Sequence, residues 1–154
     1  MVDGGGGEPF AADVLVDGRT IAAVKPDIRA EGCQVIEAGG LLVMPGFVDV
    51  HTHYDGQATW ENTLAPSTGH GVTTVVMGNC GVGFAPSAPA SHEGLVRLME
   101  GVEDIPEVVM TEGVPWAWET FPEYLDFLDG RSYDADFLDS VRHVALLVTA
   151  SRRL

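Results

Sequence analysis

Two short apolar runs, each ending on a residue type that binds metals, constrain this chain more than any other feature. PGFVDVHTHYD spans Pro45 to Asp55 and carries His51 and His53 one residue apart. VTTVVMGNCG spans Val72 to Gly81 and delivers Cys80 just after a β-branched run. Val72 to Met77 is nearly continuous in hydrophobicity rather than alternating, the pattern of a parallel strand covered on both faces. Phe47 to Val50 reads as a shorter buried strand. Residues i and i+2 of a strand share a face about 6–7 Å apart. The two imidazoles can therefore close on one cation or line one bimetal pocket, and Cys80 is a soft ligand of the kind zinc accepts.

The flanking pattern predicts two regions. Residues 1–44 read as a small β-subdomain, in which ADVLVD and TIAAV form a hairpin across the turn chemistry of Asp17-Gly18. Gln34 to Glu37 and Leu41 to Met44 can pair in the same way across Gly39-Gly40. Residues 45–154 alternate strands with helix candidates: a weak one at Leu64 to Gly71, Ser91 to Val102 with a Ser91 cap, Glu119 to Asp129, and a short one at Asp134 to Val141. Phe121, Leu125 and Leu128 lie at helical spacing in the third of these, and Pro122 is tolerated in its first turn. His143 to Thr149 is a candidate third strand. This alternation implies an α/β fold with a parallel sheet.

Composition narrows the function classes. The chain has 154 residues and a net charge of −15, with 23 acidic against 8 basic side chains. Such a surface repels nucleic acid and anionic membranes, so neither is an expected partner. No apolar run approaches the ~18–20 residues that span a bilayer, and MVDGGGGEPF lacks the features of a secretory signal. Two cysteines, Cys33 and Cys80, are too few for a disulfide scaffold and fit a reducing cytoplasm.

PGFVDVHTH followed by GVTTVVMGNCG resembles the opening of metal-dependent amidohydrolases, most of all the N-acyl-D-amino-acid deacylase (D-aminoacylase) branch. FAPSAP and VEDIPEVVMTEGVPWAWETFPEYLD extend the resemblance, which runs from about Val2 to about Leu146. It implies a (β/α)8 TIM-type barrel preceded by a β-sandwich subdomain. A full barrel takes about 250 residues, so only its first βα units and part of the sandwich fit here.

The resemblance further implies zinc, as one or two ions, with His51, His53 and Cys80 among its ligands, and a small-molecule N-acyl-D-amino acid as substrate. It also implies a general-base aspartate and further histidines beyond the chain's end. No residue here is therefore assigned as catalytic, and the chain on its own is expected to lack turnover. Asp49 shares the histidines' face and is read either as a partner that orients an imidazole or as a structural aspartate. Trp116 and Trp118 either line a substrate pocket or pack against helices. Asp55 is read as a turn residue, the acidic run from Glu100 to Glu112 as a solvated face, Cys33 as an inert surface thiol, and His70, His92 and His143 as structural. Two rival readings are kept: a cyclic-amide hydrolase of hydantoinase or dihydroorotase type, and a non-catalytic fragment that binds only metal or a partner.

Overall fold

A computed structural model of the chain describes residues 1–29 and 31–139. Contacts divide it into two units, Met1–Pro45 and the part from Gly46 onward. In the first unit, strands β1 (Asp13–Asp17) and β2 (Thr20–Lys25) form the predicted antiparallel hairpin, with Asp13 opposite Lys25 and a register shift between Leu15 and Val16. Gly18 turns the chain at φ +56°, a conformation side chains rarely adopt.

The second expected hairpin is not formed. The chain does reverse where predicted, with the Leu41 amide donating to the Ala38 carbonyl at 2.9 Å. No ladder follows on either side. Ile36 is left 84% exposed and Leu41 70%. Two four-residue arms bury too little to hold a two-stranded ribbon unless another layer packs on them.

In the second unit, β3 (Phe47–Thr52), β4 (Val72–Met77) and β5 (Asp136–Leu138) form a parallel sheet in the order β3-β4-β5. β4, with neighbours on both sides, buries Val75 and Met77 completely. β3 departs from its expected burial: Phe47, Val48 and Val50 are each more than half exposed, because β3 is an edge of the described sheet. Gly46, at its entrance, has no room for a side chain, since a Cβ there would meet Thr73 Cγ2 at 2.1 Å.

β5 occupies part of the stretch expected to be a helix. Its residues complete the open edge of β4, Thr74 facing Asp136 and Val76 facing Leu138, so tertiary pairing overrides local preference. The approach is anchored by Tyr133, whose hydroxyl donates to the Ala58 carbonyl at 2.8 Å, and by Asp134, whose carboxylate accepts the Leu64 amide at 2.8 Å. The candidate strand at 143–149 lies outside the described residues. Leu64 to Gly71 contains one 3-10 turn, Thr68–His70, and no α-helix.

Three helices among the described residues share a buried core with β4. α1 (His92–Glu103) begins where predicted, but Ser91 makes no side-chain cap, because a 3-10 turn, Pro89–Ser91, runs straight into the helix and leaves Ser91 in helical conformation. α2 (Glu107–Gly113) falls almost wholly in the acidic run read as a solvated face, and Met110 is its one buried residue. α3 (Phe121–Asp129) starts with a complete capping box, Thr120 and Glu123 each bonding the other's backbone amide. Tyr124 and Leu128 carry its buried face. Tyr124 donates its hydroxyl to the Asp55 carbonyl at 2.9 Å, while Leu125, expected on the apolar stripe, is 38% exposed. No described helix is long and apolar enough to cross a membrane.

This assignment of the α3 face is testable by denaturant unfolding. Leu128→Ala should cost about 2–5 kcal/mol, the range for emptying a core leucine site. Leu125→Ala should cost well under about 1 kcal/mol.

Candidate metal centre

The parallel pairing of β3 with β4 brings two ligand-bearing segments to the same end of the sheet. His51 lies in β3, His53 follows that strand, and Cys80 lies three residues past the end of β4. Their donor atoms all fall within 4.8 Å of one another. Cys80 Sγ is 3.7 Å from His53 Nδ1, and the two imidazole rings are 5.3 Å apart between centroids. Tetrahedral zinc, with bonds of about 2.05 Å to nitrogen and about 2.3 Å to sulfur, separates such a pair by about 3.5 Å. The spacing fits a shared cation. His51 and Cys80 are exposed, leaving the face open.

The turn that presents Cys80 depends on its glycines. Gly78 and Gly81 have φ of +92° and +81°, and the Gly81 amide closes the turn on the Gly78 carbonyl at 2.9 Å. The Val82 amide donates to Cys80 Sγ at 3.4 Å, fixing the sulfur's place in the turn. Asn79, inside the turn, donates its side-chain amide to the Val50 carbonyl, tying the turn to the histidine strand. Thr52, buried between the histidines, donates its hydroxyl to the Val76 carbonyl at 3.1 Å. Sequence reading passed over Thr52 and Asn79. Their signal was their place inside the two motifs, H-T-H and G-N-C-G.

Other singled-out residues fall elsewhere. The Asp49 carboxylate accepts the backbone amide of His51 at 3.2 Å. Asp55 does lie in a turn, but one that is fully buried. Trp118 belongs to the core: it is 3% exposed and donates its indole N–H to the Phe84 carbonyl at 3.0 Å. Trp116 differs. Held at φ +50°, it stacks on His92 with ring centroids 3.8 Å apart, and both border a cavity of about 260 Å³ with Val96, Thr111, Glu93 and Glu107. His70 ends an exposed turn, Cys33 is exposed, and His143 lies outside the described residues.

The sequence profile described as "Amidohydrolase family" matches residues 34–154. This chain belongs to that family. Among relatives of this amidohydrolase, D-aminoacylase from Alcaligenes xylosoxydans xylosoxydans is 35% identical over 128 residues, covering 83% of this chain and 24% of the relative. N-acyl-D-aspartate deacylase from the same organism is 44% identical over 86 residues, covering 56% of this chain and 17% of the relative. A solved D-aminoacylase, described by its binuclear metal centre, superposes with a TM-score of 0.76 at 33% identity, over 96% of this chain and 29% of that one. The amidohydrolase chain thus shares the α/β fold of D-aminoacylase and spans a quarter or less of the length of these two relatives.

His92 offers a pH-dependent readout of the Trp116 stack. Burial holds its imidazole below the ordinary histidine value, against the opposing effects of a hydrogen bond to the Ser87 backbone and of the Glu119 carboxylate. The folded state therefore disfavours the imidazolium. The stability this contributes is complete above about pH 6.5, the unfolded value, and declines as pH falls from there through the lower folded value. In an NMR titration, Trp116→Ala should move the His92 midpoint upward.

Proposed function

We propose that this chain supplies the opening metal donors of a zinc-dependent amidohydrolase that cleaves the amide of N-acyl-D-amino acids. The convergence of His51, His53 and Cys80, all donors within 4.8 Å, carries the proposal. Two imidazoles and a thiolate suit zinc, as one or two ions. When bound, the metal brings water to ionise near pH 7 and polarises the amide carbonyl.

The chain's own residues hold and orient. His51 and His53 bind through ring nitrogens. Cys80 serves as a ligand and not as a nucleophile, its sulfur held in place by the Val82 amide. In this reading the three parallel strands begin a (β/α)8 barrel, whose active-site face is the C-terminal end of its strands, where these ligands lie. The general base is assigned to no residue here. Trp116 gives the cavity it shares with His92 an aromatic wall suited to an acyl group or side chain, and Trp118 packs beside it. The substrate class follows the relatives named above. Two free cysteines and an acidic surface fit a cytoplasmic protein that acts on small molecules.

Cobalt titration tests the metal centre directly. The chain should develop a thiolate-to-cobalt charge-transfer band that a chelator removes. Cys80→Ala should abolish the band, and His51→Ala or His53→Ala should weaken binding; no band in the unaltered chain would count against the site. For substrate class, the same segment in a protein of its relatives' full length should hydrolyse N-acyl-D-amino acids in preference to their L-enantiomers. Preferential opening of a cyclic amide would move the protein to the dihydroorotase type.

A further inference from the structure

The ladder between β3 and β4 carries one residue too many where the histidines emerge. Asp49 faces Val75 and Thr52 faces Met77, three steps along β3 against two along β4. Val50 and His51 therefore oppose the single residue Val76. This is a β-bulge, which releases backbone groups from the ladder and re-aims the side chains beside it.

Side chains take up what the bulge disturbs. The His51 amide donates to the Asp49 carboxylate at 3.2 Å, and the Val50 carbonyl accepts from the Asn79 side chain. The Val76 carbonyl, opposite the surplus residue, accepts from the Thr52 hydroxyl at 3.1 Å. All three side chains lie within two residues of a candidate ligand.

We propose that Asp49, Thr52 and Asn79 are positioning residues that lock this bulge and pre-set His51 and His53 against Cys80 before a metal arrives. The proposal rests on the metal-site reading above. Regular pairing continued from Asp49 and Val75 would set His51 against Met77, one step from its place beside Val76. His51 would then leave the site. A ligand set held by locked neighbours binds without that reorganisation. Asp49 acts here as an acceptor for a backbone amide, not as a charge against an imidazole, and the two roles separate experimentally: asparagine keeps an acceptor oxygen and discards the charge, while alanine discards both.

The test uses the whole 154-residue chain with two readouts, His51 amide exchange without metal and cobalt affinity. The unaltered chain and Asp49→Asn should both protect the His51 amide, and Asp49→Ala should speed its exchange by about tenfold or more. Cobalt affinity should fall about 10–100-fold in Asp49→Ala and stay near that of the unaltered chain in Asp49→Asn. Fast His51 exchange in the unaltered chain overturns the lock. So does an Asp49→Asn variant as weak as Asp49→Ala, or an Asp49→Ala variant unchanged in both readouts. If the unaltered chain binds no cobalt, the metal-site reading fails, and the exchange comparison alone upholds or overturns the lock.

Discussion

Parallel pairing between β3 and β4 is the interaction on which the arrangement depends. Parallel strands end at the same edge of a sheet, so candidate ligands near the ends of two different strands meet without any long loop having to fold back. His53 and Cys80 are 27 positions apart in sequence, yet their donor atoms are 3.7 Å apart. The intervening chain, with its short 3-10 turns, serves to bring β4 alongside β3. An antiparallel pair would have sent the two motifs to opposite ends.

The pairing is steadied from behind by an aromatic core. Trp118 sits edge-on to Tyr124, with centroids 4.8 Å apart, and its indole N–H reaches the Phe84 carbonyl. Tyr124 in turn bonds the carbonyl of Asp55, two residues after His53. The WAWETFPEYLD segment thus touches both stretches that carry the ligands, the one following His53 and the one following Cys80. Its aromatic residues brace the backbone beside the candidate site.

Much of this was legible in sequence because it is local. Asp17-Gly18 specified a hairpin, β-branched residues specified β4, and the Thr120–Glu123 capping box fits the helix start expected near there. The failures share a cause. Asp136–Leu138 became a strand because β4 offered it an open edge, a fact about another part of the chain. Ser91 lost its cap to a turn arriving from Pro89. Asp55 does lie in the expected turn, but its burial was not legible, because nothing local reveals the Tyr124 hydroxyl that bonds its carbonyl. The bulge in β3 was invisible for a sharper reason: it is a mismatch between two strands, so neither strand contains it alone. The spacing of the histidines showed where donors would lie, but not the side chains that hold the backbone between them.

Cys80 is exposed, and so is Cys33. An exposed sulfur beside two imidazoles is open to a cation, and equally open to an oxidant. Conversion to a sulfenic acid or a mixed disulfide would remove the thiolate from the donor set. If the proposed centre binds metal, the redox history of a preparation would set its metal capacity. A metal held there would occupy the same sulfur and shield it, so loading with metal and preserving the thiol would be one operation.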